Sequence, residues 1–334
     1  MDNRFSEEYL ITDEHYSDVM ESTVLPWLAE REKVRILPVS SVCSLYCVSY
    51  PADNPAGTVL IVHGFTENAY KYAELIYSLL HNRYCVVAYD QRGHGRSSRA
   101  PGVSSYSVTH VDRFSDYVED LHAVYTEILS GMPGPRFLFA HSMGGAVAAL
   151  FLEQYPDSFS SVVLSSPMIS PATLGVPKSI VKAYAESAVL LGKGKKNPFF
   201  MKTYSGPEDF ETSCATDPRR FAWYDRVKAS RKEFQNSAPS YQWSLESVRV
   251  MKEILSPGRL ERITCPVLLF SAETDSSVLP GPQKEFVRRL TRGRMVVVRN
   301  ARHEIFRSVN EVLIPWWKQV LAFFAENRHS DDPV

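Results

Sequence analysis

With 334 residues, 44% of them apolar and 22% charged, the chain has the makeup of a globular protein. Its length fits one large α/β domain with an insertion, or two ordinary domains. Its net charge of −1 gives no global attraction to nucleic acid, and no apolar run approaches the ~18–20 residues of a membrane span.

The first eight residues, Met1 to Glu8, carry neither the basic nor the apolar segment of a secretory signal. The five cysteines (Cys43, Cys47, Cys85, Cys214 and Cys265) are odd in number and include no CxxC pair. Neither a disulfide framework nor a zinc site is expected, and a cytoplasmic chain fits best. Residues 1–40 read as an N-terminal helical extension with apolar positions at Tyr9, Leu10, Met20, Val24, Leu25, Trp27 and Leu28. Residues 43–50 alternate loosely and predict an early antiparallel strand. From there strands and helices take turns. Thr58-Val59-Leu60-Ile61-Val62 is a β-branched run suited to a strand covered on both faces. A helix over about 69–82 and a strand over 84–89 follow. Residues 111–129 have apolar groups spaced by three and four, the mark of an amphipathic helix. Strands at 161–165, 266–270 and 294–298, with helices near 282–291 and 311–327, complete the pattern. Such alternation predicts an α/β fold, with a mostly parallel central sheet flanked by helices. Residues 41–167 and 256–330 form its expected core. Between 168 and 255 the strand signal disappears and prolines interrupt helix-leaning sequence, so this stretch is expected to be a helical cap inserted between core strands.

The richest local pattern is Ala140-His141-Ser142-Met143-Gly144, between the apolar run 135–140 and a small-residue helix start at 144–152. It reads as a nucleophile elbow, a strained strand-to-helix turn with small residues two before and two after the serine. By itself the pattern also fits an ordinary helix N-cap serine. An activated serine needs a base, an acid to orient it, and donors for an oxyanion, all at the carboxyl ends of strands. His303 follows the 294–298 strand and Asp275 follows the 266–270 strand, giving the chain order Ser, Asp, His. Glu273, two residues before Asp275, is the competing acid. The backbone amides of Met143, directly after the serine, and Phe65, in the loop after the 58–62 strand, are the expected oxyanion donors. His63, His94 and His141 are read as structural, and Asp90-Gln91-Arg92-Gly93-His94-Gly95-Arg96-Ser97 as a turn, because it lacks phosphate-loop spacing.

With these residues in place, the chain resembles the α/β-hydrolases of the lysophospholipase and monoacylglycerol lipase branch over about residues 40–325. Its segments are most similar to those of the bacterial lysophospholipases. The resemblance is carried by His63-Gly64, Tyr70-Lys71-Tyr72-Ala73-Glu74-Leu75, the 90–97 segment, Arg113-Phe114, Asp116-Tyr117-Val118, Asp120-Leu121, residues 140–146, Asp275 and His303-Glu304-Ile305. Ala140 stands where the family more often has Gly, and the family's acid position varies. The resemblance implies a serine hydrolase that cleaves the acyl ester of a lysophospholipid through an acyl-enzyme, with acyl transfer to another alcohol within the same branch. It implies no metal or organic cofactor. The alternatives are a monoacylglycerol lipase, a carboxylesterase, or a catalytically idle binding module, the last disfavoured by the intact Ser, Asp and His. Residues 171–250 hold 13 Lys and Arg against 8 Asp and Glu. Lys193, Lys195, Lys196 and Lys202 lie near Phe199 and Phe200, and Arg219, Arg220, Arg226 and Lys228 near Phe221, Trp223 and Tyr224. Basic groups among aromatics suit an amphiphilic substrate and peripheral contact with the cytoplasmic face of a membrane; a solvated basic surface is the plainer alternative. No pattern specifies an oligomeric state.

Overall fold

The computed structural model describes residues 3–328 apart from 7, 104 and 174, so residues 1, 2, 7, 104, 174, 329 and 330 of the expected segments lie outside the described residues. From the N-terminus, α1 (Tyr16–Val19) passes through one π-helical turn (Met20–Val24) into α2 (Leu25–Ala29). Pro26 lies directly after the π-helical turn, inside a continuous run of helix from which it withdraws one amide. The helical extension expected over 1–40 ends there, because residues 33–40 are a strand. β1 (Lys33–Ser40) pairs antiparallel with β2 (Cys43–Tyr50) across a tight turn at Ser41-Val42. Val34 and Ile36 favour extended backbone, and β2 supplies the partner their hydrogen bonds need. Pro38 is tolerated because β1 is an edge strand whose register shifts between Pro38 and Ser40.

The chain then follows the expected alternation through β3 (Gly57–Val62), α3 (Ala73–His81), β4 (Tyr84–Tyr89), β5 (Val108–Thr109), α4 (Ser115–Glu127), β6 (Arg136–His141), α5 (Met143–Gln154) and β7 (Ser161–Ser165). The next segment holds α6 (Lys178–Leu190), α7 (Pro218–Ser230), β8 (Ala238–Pro239) and α8 (Tyr241–Ile254). The core resumes with β9 (Val267–Ala272), α9 (Pro280–Arg289), β10 (Gly293–Val298) and α10 (Asn310–Glu326). Eight strands form one sheet in the order β1-β2-β4-β3-β6-β7-β9-β10, parallel from β4 to β10. Every residue of β3, β4, β7 and β9 is buried, which explains their unbroken apolar runs. One face packs against α4, α5 and α9. The other packs against α3, α10 and the N-terminal segment.

Strand pairing, helix packing and buried ion pairs tie the segment between β7 and β9 to the rest of the fold. The two-residue β8 pairs with β5, and α8 packs on both α6 and α5. Of its second basic cluster, Arg219, Arg220 and Lys228 are spent internally, while Arg226 is exposed and donates to Ser17 Oγ. Arg220, 1% exposed, pairs with Glu74 at 2.7 Å and Asp217 at 2.9 Å. It also donates to Ile11 O and Asn310 Oδ1. Arg219 pairs with Asp217, and Lys228 with Glu208. Arg220 thus joins the N-terminal segment, α3, α7 and the start of α10. Arg220→Ala would leave the buried Glu74 carboxylate without its cation and is expected to cost about 3–5 kcal/mol. Urea denaturation should read this as a lower midpoint; a loss below about 1 kcal/mol would show that the network contributes little net stability.

Candidate active site

The parallel register brings four strand ends to one edge of the sheet. Ala140 pairs with Val62 on one side and Leu164 on the other, so Ser142 emerges just beyond the ends of β3 and β7. Ser142 has φ 51° and ψ −118°, a strained conformation for a residue with a β-carbon. Three hydrogen bonds hold it: its amide donates to Ser165 O at 3.1 Å, and its carbonyl accepts from Gly145 N at 2.9 Å and Met168 N at 2.8 Å. The glycines after it are steric necessities. A β-carbon on Gly144 would lie 2.3 Å from Val62 O, and one on Gly145 2.4 Å from Pro167 Cβ.

Ser142 Oγ lies 2.8 Å from His303 Nε2, and His303 Nδ1 lies 2.8 Å from Asp275 Oδ2. Nδ1 faces a carboxylate that can only accept, so it carries the proton and leaves Nε2 to accept from the serine hydroxyl. Asp275 Oδ1 accepts from the amides of Ser277 at 2.8 Å and Val278 at 3.0 Å. Burial works to raise the Asp275 carboxyl, but His303 and the two amides outweigh it and hold the group below its ordinary range. Glu273 is turned elsewhere, its Oε2 accepting from Asn300 N at 2.9 Å. Of the two acids weighed from the sequence, only Asp275 meets the histidine.

Met143 opens α5, where a helix leaves its first amides without intrahelical acceptors. The loop after β3 lies against the serine: a β-carbon on Gly64 would sit 3.0 Å from Ser142 Cβ. Phe65 follows, its ring packed 4.1 Å from that of Trp243, and Thr66 has φ 62°, rare for a β-branched residue. The expected structural histidines are internally bonded. His63 donates from Nδ1 to Gly64 O and accepts the Gln91 amide at Nε2. His141 donates from Nδ1 to Ser165 O, and burial above all pushes its imidazole down to about 4, so it stays neutral. In the 90–97 turn, Asp90 accepts from the Ala69 and Arg96 amides.

Beneath this edge lies a buried charged row that sequence reasoning missed: Glu67, Lys71, Glu304 and Arg307. Lys71 Nζ sits 3.0 Å from Glu67 Oε1 and 2.6 Å from Glu304 Oε1, and Arg307 Nη1 lies 2.5 Å from Glu304 Oε2. The signal available was the four- and three-residue spacing of the two pairs, which normally denotes surface ion pairs. A cavity of about 410 Å³ opens beside Thr66, lined by Lys71, Lys228 and Arg307 and by Glu208, Asp209, Asp225 and Glu304. Among the described residues, no group of three or more His, Cys, Asp or Glu could hold a metal ion, and no helix is long and apolar enough to cross a membrane.

Residues 53–310 match the family model described as serine aminopeptidase, S33. Lysophospholipase L2 of Escherichia coli K12 is 30% identical over 300 residues, spanning 85% of this chain and 84% of that protein. A monoacylglycerol lipase of Mycolicibacterium smegmatis is 31% identical over 151 residues, 43% of this chain and 51% of its own. Among solved structures, a monoacylglycerol lipase of Paleococcus ferrophilus superposes with a TM-score of 0.65 at 23% identity, covering 85% of this chain and 99% of that one.

Proposed function

The chain belongs to the serine aminopeptidase S33 family of α/β-hydrolases, and from that premise we propose that it is a lysophospholipase working through Ser142, His303 and Asp275. The observation that carries the proposal is the continuous hydrogen-bonded chain from Ser142 through His303 to Asp275 at the carboxyl edge of a parallel sheet. Such a triad attacks esters and amides alike; the lysophospholipase relative matching most of the chain favours the ester.

In the proposed reaction Ser142 Oγ adds to the acyl carbonyl while His303 Nε2 takes its proton. The Phe65 and Met143 amides hold the tetrahedral oxyanion. Collapse breaks the bond to the glycerol oxygen, which leaves as an alcohol with the proton from His303. Water, deprotonated by His303, then adds to the acyl-Ser142 ester, and collapse frees the fatty acid and restores the serine. Asp275 holds the imidazole tautomer and stabilises the imidazolium formed in both halves. These residues and water carry every step.

In this reading residues 168–255 act as a cap over the core formed by 41–167 and 256–330. Leu190 and Phe199 are 87% and 85% exposed, and Leu191 and Phe200 also face solvent, near Lys193, Lys195, Lys196 and Lys202. Apolar tips ringed by lysines suit peripheral contact with an anionic lipid surface, where the substrate resides. The mixed charge of the cavity beside Thr66 favours a second reading, monoacylglycerol hydrolysis, since an uncharged glycerol would also fit there. With one acyl chain held constant, kcat/KM for a lysophospholipid is expected to exceed that for a monoacylglycerol by at least about tenfold. The reverse order would favour the lipase, and turnover of short p-nitrophenyl esters alone would remove both.

A further inference from the structure

We infer that Glu67 is a positioning residue for the oxyanion loop, its carboxylate clamping the Gly64–Phe65 segment against Ser142. The inference rests on the serine-hydrolase reading above. Glu67 is 2% exposed, and none of its hydrogen bonds goes to the triad. Its Oε2 accepts from the Gly64 amide at 2.6 Å and from the Tyr72 hydroxyl at 2.6 Å, while its Oε1 accepts from Lys71 Nζ at 3.0 Å. The bond to Gly64 N spans the base of the turn. The next peptide unit carries the Phe65 amide, so fixing Gly64 fixes the direction of that donor. The loop needs such a clamp, because Thr66 sits at φ 62°, which persists only where the surroundings over-determine it.

The carboxylate is itself held charged and in place. Burial alone would raise it, but Lys71 above all, with the Tyr72 hydroxyl, outweighs burial and brings Glu67 down to about 2. Lys71 is shared with Glu304, the residue after His303. Glu304 is gripped by Arg307, which donates from Nη2 to the carbonyls of Arg220 and Phe221 in α7. One row of charges therefore links the amide of the loop, the neighbour of the histidine, and the inserted segment. A purely structural ion pair would affect stability and all binding alike. A clamp on an oxyanion donor affects the transition state selectively.

Two variants of the full chain separate these roles. Glu67→Asp keeps the charge facing Lys71 but withdraws the carboxylate by one methylene, so the fold should survive. Glu67→Gln keeps the shape but has a single acceptor oxygen, which cannot serve both Lys71 and the Gly64–Tyr72 pair. With p-nitrophenyl butyrate, kcat is expected to fall about tenfold or more in Glu67→Asp and about 10²-fold or more in Glu67→Gln, with KM within about twofold of wild type. The affinity of a trifluoromethyl ketone, which forms a tetrahedral adduct with the serine, should weaken in parallel. The affinity of an unreactive ether analogue of the substrate should not change. The inference is overturned if Glu67→Asp keeps the wild-type kcat and ketone affinity, or if ether and ketone binding weaken equally. A wild-type chain inert toward every ester would overturn the serine-hydrolase reading and this inference with it. An active wild type with unaffected Glu67 variants would overturn this inference alone.

Discussion

Ser142→Ala and His303→Ala are each expected to lower ester turnover by about 10⁴- to 10⁶-fold, with the double variant slower than either by no more than a fewfold. The non-additivity follows from the geometry. Ser142 Oγ and His303 Nε2 are joined by one 2.8 Å hydrogen bond, so removing either end abolishes the same proton transfer. The activity left over would come from substrate binding and the two oxyanion amides, which both substitutions spare. Ser142→Ala should melt close to wild type, because it keeps a β-carbon on the same strained backbone and leaves its three backbone bonds in place. A fluorophosphonate should add one adduct to the wild-type chain, mapped to Ser142, and none to Ser142→Ala. Multiplicative losses in the double variant, or an active and labelled Ser142→Ala, would refute this assignment of the nucleophile.

The core strands were legible because their burial is two-sided. A run such as Val59 to Val62 needs no alternation when helices cover both faces, and the β-branched run marks it directly. The helices were legible in kind, less so in extent. Residues 111–129 have helical spacing, yet α4 begins at Ser115, because Val111 and Phe114 are buried from the preceding loop rather than from the helix. β1 was misread for a different reason. Lys33 to Ser40 is an edge strand with Val34 and Ile36 exposed, so it has no buried stripe to reveal its period; its pairing with β2 decides the matter.

The triad could be read because strand ends in an α/β sheet converge, which turns positions in the sequence into positions at one edge. The charged row could not. Lys71 and Glu304 are 233 residues apart, and nothing in either local sequence says that they meet in the interior. The same blindness affected the insertion. Arg219, Arg220 and Lys228 looked like part of a basic face, whereas Asp217, Glu74 and Glu208 neutralise them. Arg226 stays exposed, and so do the lysines around the exposed Phe199 and Phe200, where the membrane proposal rests.

Asp275→Asn is expected to lower kcat by about 10⁴-fold, and Glu273→Gln to leave it within about twofold. The surroundings of the carboxylate dictate the outcome. The Ser277 and Val278 amides both donate to Oδ1, so an asparagine there must keep its carbonyl oxygen on that side and turn its NH₂ toward His303. Nδ1 would then have to accept, the proton would move to Nε2, and the imidazole could no longer take the serine proton. The variant also has a pH signature in stability. The Asp275 carboxyl lies below its ordinary range in the fold, so its contribution is fully present above its unfolded value of about 4 and is lost as pH falls through the folded one. The stability gap between wild type and Asp275→Asn should therefore be flat from about pH 8 to about pH 5 and shrink below about pH 4 in urea titrations. An Asp275→Asn variant with near wild-type kcat beside an inactive Glu273→Gln would move the acid to Glu273. That exchange would require Glu273 to abandon the Asn300 amide and reach His303, and its present hydrogen bond points it the other way.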